Sequence, residues 1–324
     1  MTWTLPDPML TSPTPLPRLT PGWAGEPKWD GYRALLSVDA AREQLVSRRG
    51  TDLRAAFPEI VAGAAQLADG TAVDGEIVVW EDGRLAFERL QHRMQRRGSS
   101  AARAAEQWPA HFVAFDLLRL NGTDTTGWSY RRRRGALEAV FTARRLTAPW
   151  ALSPSTTDQA VVDEWLTWTT VGVEGVVFKK LNEPYRSAVR GWLKYKVRET
   201  TEAIVGAITG SRATPRTLLL ARYDTAGTLA YIGRTTTLTA AAAAMAAPLL
   251  SRPTGEHPWR GWSFSAGWGS RTTLDVTLVQ PDLVVEVGVD VARDSAGRWR
   301  HPVRWHRVRT DIPPDTVARI TAPE

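Results

Sequence analysis

Pro27-Lys28-Trp29-Asp30-Gly31-Tyr32-Arg33 is the stretch on which the reading of this chain turns. Asp-Gly is a strong signal for a tight two-residue turn, so the segment reads first as a hairpin with a lysine just before its bend. That lysine is unusual here. Of 41 basic residues only five are lysines, namely Lys28, Lys179, Lys180, Lys194 and Lys196, and they fall in three short segments. A GC-rich coding sequence accounts for arginine at ordinary surface positions, but not for the clustering of the lysines. A lysine can shed its proton and attack as an amine, whereas a guanidinium stays charged at physiological pH. Lys28 is therefore the first candidate for covalent chemistry.

A free lysine, with a pKa of about 10.4, has fewer than roughly one neutral amine in a thousand near neutral pH. Held at a strand end beside the positive charges of Lys194 and Lys196 and partly shielded from water, Lys28 is expected to have a lowered pKa. Two carboxylates stand in comparable settings: Glu76 in Val73-Asp74-Gly75-Glu76 and Glu174 in Val173-Glu174-Gly175, each beside glycine at the edge of an apolar run. With the lysines they suit a ribose hydroxyl and Mg²⁺, as phosphoryl-type transfer requires. The chain has no glycine-rich phosphate-cradling loop, and a covalent phosphoramidate is one other way to handle a nucleotide.

The 324 residues, 43% hydrophobic, can bury a sizeable core and favour two domains. Cysteine is absent, which excludes disulfides and thiolate metal sites, and no two of the five histidines show the helical spacing of a metalloprotease. No apolar run reaches the roughly 18 residues of a membrane span, and the first ten residues lack a signal-peptide layout. Cytoplasmic, nucleoid-associated residence is expected. A net charge of +7 suits an anionic partner, nucleic acid ahead of membrane.

After a proline-rich lead, short apolar runs (34–38, 72–80, 111–120, 175–178) alternate with expected helices near 52–67, 84–96, 131–144 and 158–170. This predicts an α+β domain of antiparallel sheets flanked by helices over residues 1–199. Residues 200–324 carry five β-rich runs (203–209, 217–223, 228–232, 273–279 and 283–291), with an alanine-rich helix over 238–250. They predict an OB-fold β-barrel.

Six motifs in order then resemble those of the ATP-dependent DNA ligases, within the covalent nucleotidyltransferases. KxDGxR is Lys28 to Arg33, SRxG is Ser47 to Gly50, and DGE is Asp74 to Glu76; FD is Phe115-Asp116, EGxVxK is Glu174 to Lys179, and WxKxK is Trp192 to Lys196. The resemblance implies that Lys28, with Asp30 in the same catalytic motif, attacks the α-phosphate of ATP and keeps AMP on its amine. It implies that Glu26 reads the adenine amino group, Phe115 stacks on the base, and Arg33, Arg48 and Glu76 contact the ribose and phosphate side. Glu174 and Glu76 would hold Mg²⁺, with Mn²⁺ able to substitute, while Lys194 and Lys196 neutralise the α-phosphate. Arg309 and Asp311, in Arg307-Val308-Arg309-Thr310-Asp311, resemble the last motif and would orient pyrophosphate, with Ile312 where the family usually has lysine. Arg49 stands where asparagine is common. Lys179 and Lys180 receive no role.

The implied substrate is nicked duplex DNA, sealed by a monomer, with repair as its setting. Arg93, Arg96 and Arg97 are candidate duplex contacts, whereas Arg131 to Arg134 read as a solvated helix start. RNA ligases and GTP-using capping enzymes share the same lysine logic, and a non-catalytic basic DNA-binding protein shares the charge.

Overall fold

A computed structural model describes residues 3–40, 42–265, 272–290, 293–294 and 296–320. The chain divides into two compact units, residues 1–197 and 198–324. Strands of the first unit are, in chain order, β1 (Leu10–Pro13), β2 (Trp23–Trp29), β3 (Tyr32–Asp39), β4 (Arg42–Ser47), β5 (Thr71–Glu81), β6 (Arg84–Leu85), β7 (Ala110–Leu120), β8 (Thr123–Asp124), β9 (Trp150–Leu152), β10 (Val173–Lys180) and β11 (Arg190–Lys196). They form a four-stranded sheet in the order β1-β11-β10-β2, and a seven-stranded sheet built on β4-β3-β5-β7-β8 with β6 and β9 beside it. Pairing among these strands is antiparallel except for β1 with β11 and β7 with β9.

This topology corrects the hairpin reading of Asp30-Gly31. The two residues do join β2 to β3, but β2 pairs with β10 in one sheet and β3 with β4 and β5 in the other. The link hands the chain from sheet to sheet. It has to be glycine at position 31, because a Cβ there would sit 2.3 Å from the Ile77 carbonyl oxygen.

Strand alternation then builds two layers. Leu36, Val73, Ile77 and Phe112 face outward, where they pack with Phe57, Ile60, Leu90 and Leu137. Leu35, Ala72 and Leu118 face inward, toward Met9, Tyr185 and Trp192. The helices are α1 (Pro58–Gly63), α2 (Phe87–Met94), α3 (Gly98–Gln107), α4 (Tyr130–Arg144) and α5 (Gln159–Trp165). Four fall within or close to expected spans, and α3 was not expected. Its buried residues are only Ala101 and Ala104, so it has no large apolar stripe to reveal it.

The second unit comprises β12 (Arg198–Gly210), β13 (Pro215–Tyr223), β14 (Leu229–Arg234), α6 (Ala240–Ala246), β15 (Thr277–Leu278), β16 (Val284–Asp290) and β17 (Arg304–Val308). Its sheet runs β14-β13-β12-β16-β17, with β15 on β12. The two ends of that order meet in parallel where Thr235 bridges Val303, and Thr236 N–H donates to the Val303 carbonyl at 2.8 Å. The curled sheet encloses Val205, Leu218, Leu220, Ile232, Val285 and Val287. Two expectations are corrected here. The run 273–279 yields only the two-residue β15, and β17 went unread because Arg304-Trp305-His306-Arg307-Val308 is mostly polar and largely exposed. Among the described residues no helix is long and apolar enough to cross a membrane.

Candidate active site

Glu26 and Lys28 lie two apart on β2 and so share a face of the four-stranded sheet, as do Lys194 and Lys196 on β11. Glu174 joins them through a β-bulge. Val173 pairs with Trp29 and Val176 with Pro27, so two residues of β10, Glu174 and Gly175, stand opposite the single residue Lys28. Gly175 takes φ +150°, and a Cβ there would lie 2.0 Å from the Tyr195 carbonyl oxygen, so the bulge requires glycine.

The bulge brings the Glu174 carboxylate onto the Lys28 ammonium, which donates a short hydrogen bond to Oε2. Lys196 Nζ lies 3.4 Å from the same oxygen. Burial pushes the Lys28 pKa down, but the charges of Glu174, Glu76 and Asp30 outweigh it, and the pKa rises above the ordinary lysine value. The expected lowering is thereby corrected: without a nucleotide, Lys28 is paired to a carboxylate and stays an ammonium. Lys194 moves down instead, through burial and then through the charges of Lys28, Lys196 and Arg48.

Glu76, on β5 directly across from Arg33, has its carboxyl pushed up to about 8 by burial and by the nearby Glu174 and Asp30, against the pull of Lys28 and Arg33. Arg33 is not free toward the site. Its Nε and Nη2 donate to Asp74 at 3.0 and 2.6 Å, and Nη1 donates to the Met9 carbonyl at 2.6 Å. Tyr185 donates to the same Asp74 at 2.8 Å. Arg48 is exposed in the turn after β4, with its N–H on the Arg33 carbonyl.

Glu26 is 2% exposed. Its Oε1 accepts from the Tyr130 hydroxyl, and Oε2 lies 2.9 Å from Lys179 Nζ. Lys179 is buried too, and also donates to the Phe115 carbonyl at 2.9 Å. Its ammonium sits 4.3 Å from the Trp192 ring centre and 4.6 Å from that of Phe115. Burial pushes the Lys179 pKa down, with Glu26 and Asp116 pulling the other way. Phe115 is half-buried, edge-on to Trp192.

The first unit therefore gathers Glu26, Lys28, Asp30, Arg33, Glu76, Phe115, Glu174, Lys194 and Lys196 around the two sheets. Arg309 and Asp311 belong to the second unit, where Arg309 binds Asp311 and Glu202, each at 2.9 Å, and Glu286 at 3.2 Å. Among the described residues no three or more acidic or histidine side chains form a metal cage.

Two readings of arginine are corrected. Arg93 is fully buried, with both terminal nitrogens on Glu59 and further bonds to the Trp108 and Ala56 carbonyls, so it cannot reach duplex phosphates. Arg96 is half-buried, with its guanidinium 5.7 Å from the Trp108 ring centre, and Arg97 is exposed. In the 131–134 run, Arg133 is buried on Asp116 at 2.7 Å and Arg134 donates to the Ser153 carbonyl at 2.6 Å. Only Arg131 and Arg132 of the four face solvent. Asp74, Tyr130, Lys179 and Tyr185 were not read as site residues. Asp74 was within reach, since it opens the DGE motif, whereas nothing local marks the two tyrosines.

A family model described as the ATP dependent DNA ligase domain matches residues 8–196. DNA ligase C2 of Mycolicibacterium smegmatis is 34% identical over 317 residues, covering 91% of this chain and 88% of that one. DNA ligase C of Mycobacterium tuberculosis is 32% identical over 321 residues, with the same coverage. The multifunctional non-homologous end joining protein LigD of Mycobacterium bovis is 34% identical over 309 residues, which are 92% of this chain but 37% of that protein. Among solved structures, the ligase domain of M. tuberculosis LigD matches with a TM-score of 0.53 and 30% identity, covering 97% of this chain and 98% of that one. A mycobacterial DNA ligase D complexed with ATP and MES matches with a TM-score of 0.52 and 29% identity, over the same shares. With the family model spanning more than half of its length and these relatives covering nearly all of it, the chain belongs to the ATP-dependent DNA ligases.

Proposed function

We propose that Lys28 is the nucleophile of a three-step nick-sealing reaction, and that the residues around it divide the work. In the first step the Lys28 amine attacks the α-phosphate of ATP; the N–P bond forms, pyrophosphate leaves, and the lysine keeps AMP. The 5′-phosphate of a nick then attacks the lysyl-AMP phosphorus and takes AMP from the enzyme. Finally the 3′-hydroxyl attacks the activated 5′-phosphate, closing the phosphodiester and releasing AMP.

The observation that carries this reading is the Lys28–Glu174 pair at the bulge. An ammonium has no lone pair, and the Glu174 charge keeps the proton on Lys28, so the nucleotide must draw Glu174 away before that proton can leave to water and free the amine. Mg²⁺ fits that role: it favours one or two carboxylates together with substrate phosphates over a cage made wholly of protein. Glu174 and the crowded Glu76 are the groups that would hold it, and Glu76, raised to about 8, gains most from a nearby cation. When bound, the ion supplies charge that lowers the amine's pKa and stabilises the attacked phosphate. Lys194 and Lys196 stand beside Lys28 as compact positive charges for the negative charge that builds on the α-phosphate.

Glu26 faces the adenine amino group and Phe115 the base, as in the family pattern. Arg33, fixed by Asp74, shapes the ribose side, with Arg48 above it. Arg309 and Asp311 of the second unit orient pyrophosphate in the first step only. We read that unit as an OB barrel: a five-strand path with parallel closure at Thr235 and Val303 and a helix after its third strand supports it. Repair of chromosomal nicks by a monomer at the nucleoid suits the kinship with end-joining ligases. Incubation with nicked DNA or nicked RNA, in ATP or GTP, tests the assignment. Sealing of nicked DNA with ATP alone is expected, and sealing that prefers RNA or GTP would overturn it.

A further inference from the structure

Lys179 and Tyr130 lie outside every step above, yet both are buried and both end on one carboxylate, that of Glu26. Burying an ammonium costs free energy unless it is paired and hydrogen-bonded. Lys179 meets both conditions through Glu26 and the Phe115 carbonyl, with the aromatic faces of Trp192 and Phe115 around it. Tyr130 closes the other side, with its hydroxyl bonded to Glu26 Oε1 and 2.9 Å from Ser155 Oγ. The donors converge on Glu26 from α4 and from the end of β10, five residues beyond Glu174.

An ionised carboxylate has two lone pairs on each oxygen and nothing to donate. Tyr130 occupies one lone pair of Oε1, and Lys179 one of Oε2. What remains accepts and cannot give. Facing a purine, such a group bonds a 6-amino substituent, which donates. It opposes a 6-oxo substituent, whose own lone pairs would be aimed at those of the carboxylate. We infer that Lys179 and Tyr130 are positioning residues that hold Glu26 as a fixed, acceptor-only carboxylate, and so set the preference for 6-aminopurine over 6-oxopurine nucleotides. The inference rests on the proposed reading that Glu26 faces the base. It gives Lys179 a reason to be lysine, because the compact ammonium fits among three rings and two oxygen acceptors where a planar guanidinium would need more room.

ATP and ITP differ at C6 and at the adjacent N1, which carries a hydrogen only in ITP, so their relative rates of enzyme-nucleotide adduct formation at subsaturating nucleotide, read by intact mass, report on that edge of the base. The wild-type chain is expected to favour ATP strongly. Tyr130→Phe, which deletes one oxygen and keeps the ring, is expected to shrink the ATP-to-ITP ratio about tenfold, the size of one lost hydrogen bond. Lys179→Met should shrink it further, and Glu26→Gln, whose amide can donate as well as accept, should nearly abolish it. A role in stability alone would slow both nucleotides equally. The inference is overturned if Tyr130→Phe or Glu26→Gln keeps the wild-type ratio while still forming adduct. Failure of the proposed function looks different: the wild-type chain would then form no adduct with either nucleotide.

Discussion

The proposed reaction needs Lys28 as an amine, whereas Glu174 holds it as an ammonium. Removing that carboxylate should therefore separate readiness from catalysis. In Glu174→Gln the strongest attraction on the Lys28 proton is gone, so an amine-reactive acylating reagent should label Lys28 faster than in the wild type, as peptide mapping would show. Adenylation should nevertheless fall by about a hundredfold or more, because the group proposed to orient the amine and to hold the metal is lost. Slower labelling would contradict the charge assignment. Glu76 gives a second test through its carboxyl, raised to about 8. Between the ordinary carboxyl range and that value the folded chain keeps a proton that the unfolded chain has released, so stability falls as pH rises across this window. Glu76→Gln removes the dependence. Its melting temperature should gain on the wild type from about pH 5 to about pH 8 and then stay ahead; a gap that does not widen would contradict it.

The element that makes the site is the bulge in β10. Gly175→Ala would put a methyl carbon into the Tyr195 carbonyl at a positive φ. It should destabilise the first unit by about 1–3 kcal/mol, more if the β10–β11 pairing splays, and weaken adenylation beyond the stability loss as Glu174 swings from Lys28. On α2, Arg93→Ala strands Glu59 and should cost about 3 kcal/mol in denaturant unfolding, with affinity for nicked duplex unchanged in the folded fraction. Arg97→Ala should do the reverse. At this scale the sequence was readable where a pattern is local. Short apolar runs marked β3, β5 and β7, and six ordered motifs marked residues that the fold brings around the two sheets. It was unreadable where the partner is distant. The burial of Arg93 depends on Glu59, 34 positions away, and an arginine run looks the same from the sequence whether it faces water or a carboxylate. The Asp30-Gly31 turn was legible as a turn, but its two strands enter different sheets because each finds its partner far along the chain. The direction of the Lys28 shift was missed for the same reason: the neighbouring lysines are plain in sequence, whereas the bulge that sets Glu174 against Lys28 is not.

For the whole molecule, the reading assigns the covalent centre to the first unit and Arg309 with Asp311 to the second. Arg309→Ala should slow adenylation by about a hundredfold, yet leave sealing of a pre-adenylated nick near the wild-type rate. A loss in both would place Arg309 in more than the first step. The net charge of +7 should make affinity for nicked duplex fall steeply with salt, as phosphate contacts release counterions. Everything depends on one covalent bond, and it can be weighed. Incubated with ATP and a divalent cation, the intact chain should gain the mass of one AMP, lose it again on adding nicked DNA, and fail to gain it at all as Lys28→Ala. No gain in the wild-type chain, or an undiminished gain in Lys28→Ala, would contradict the assignment of Lys28 as the nucleophile.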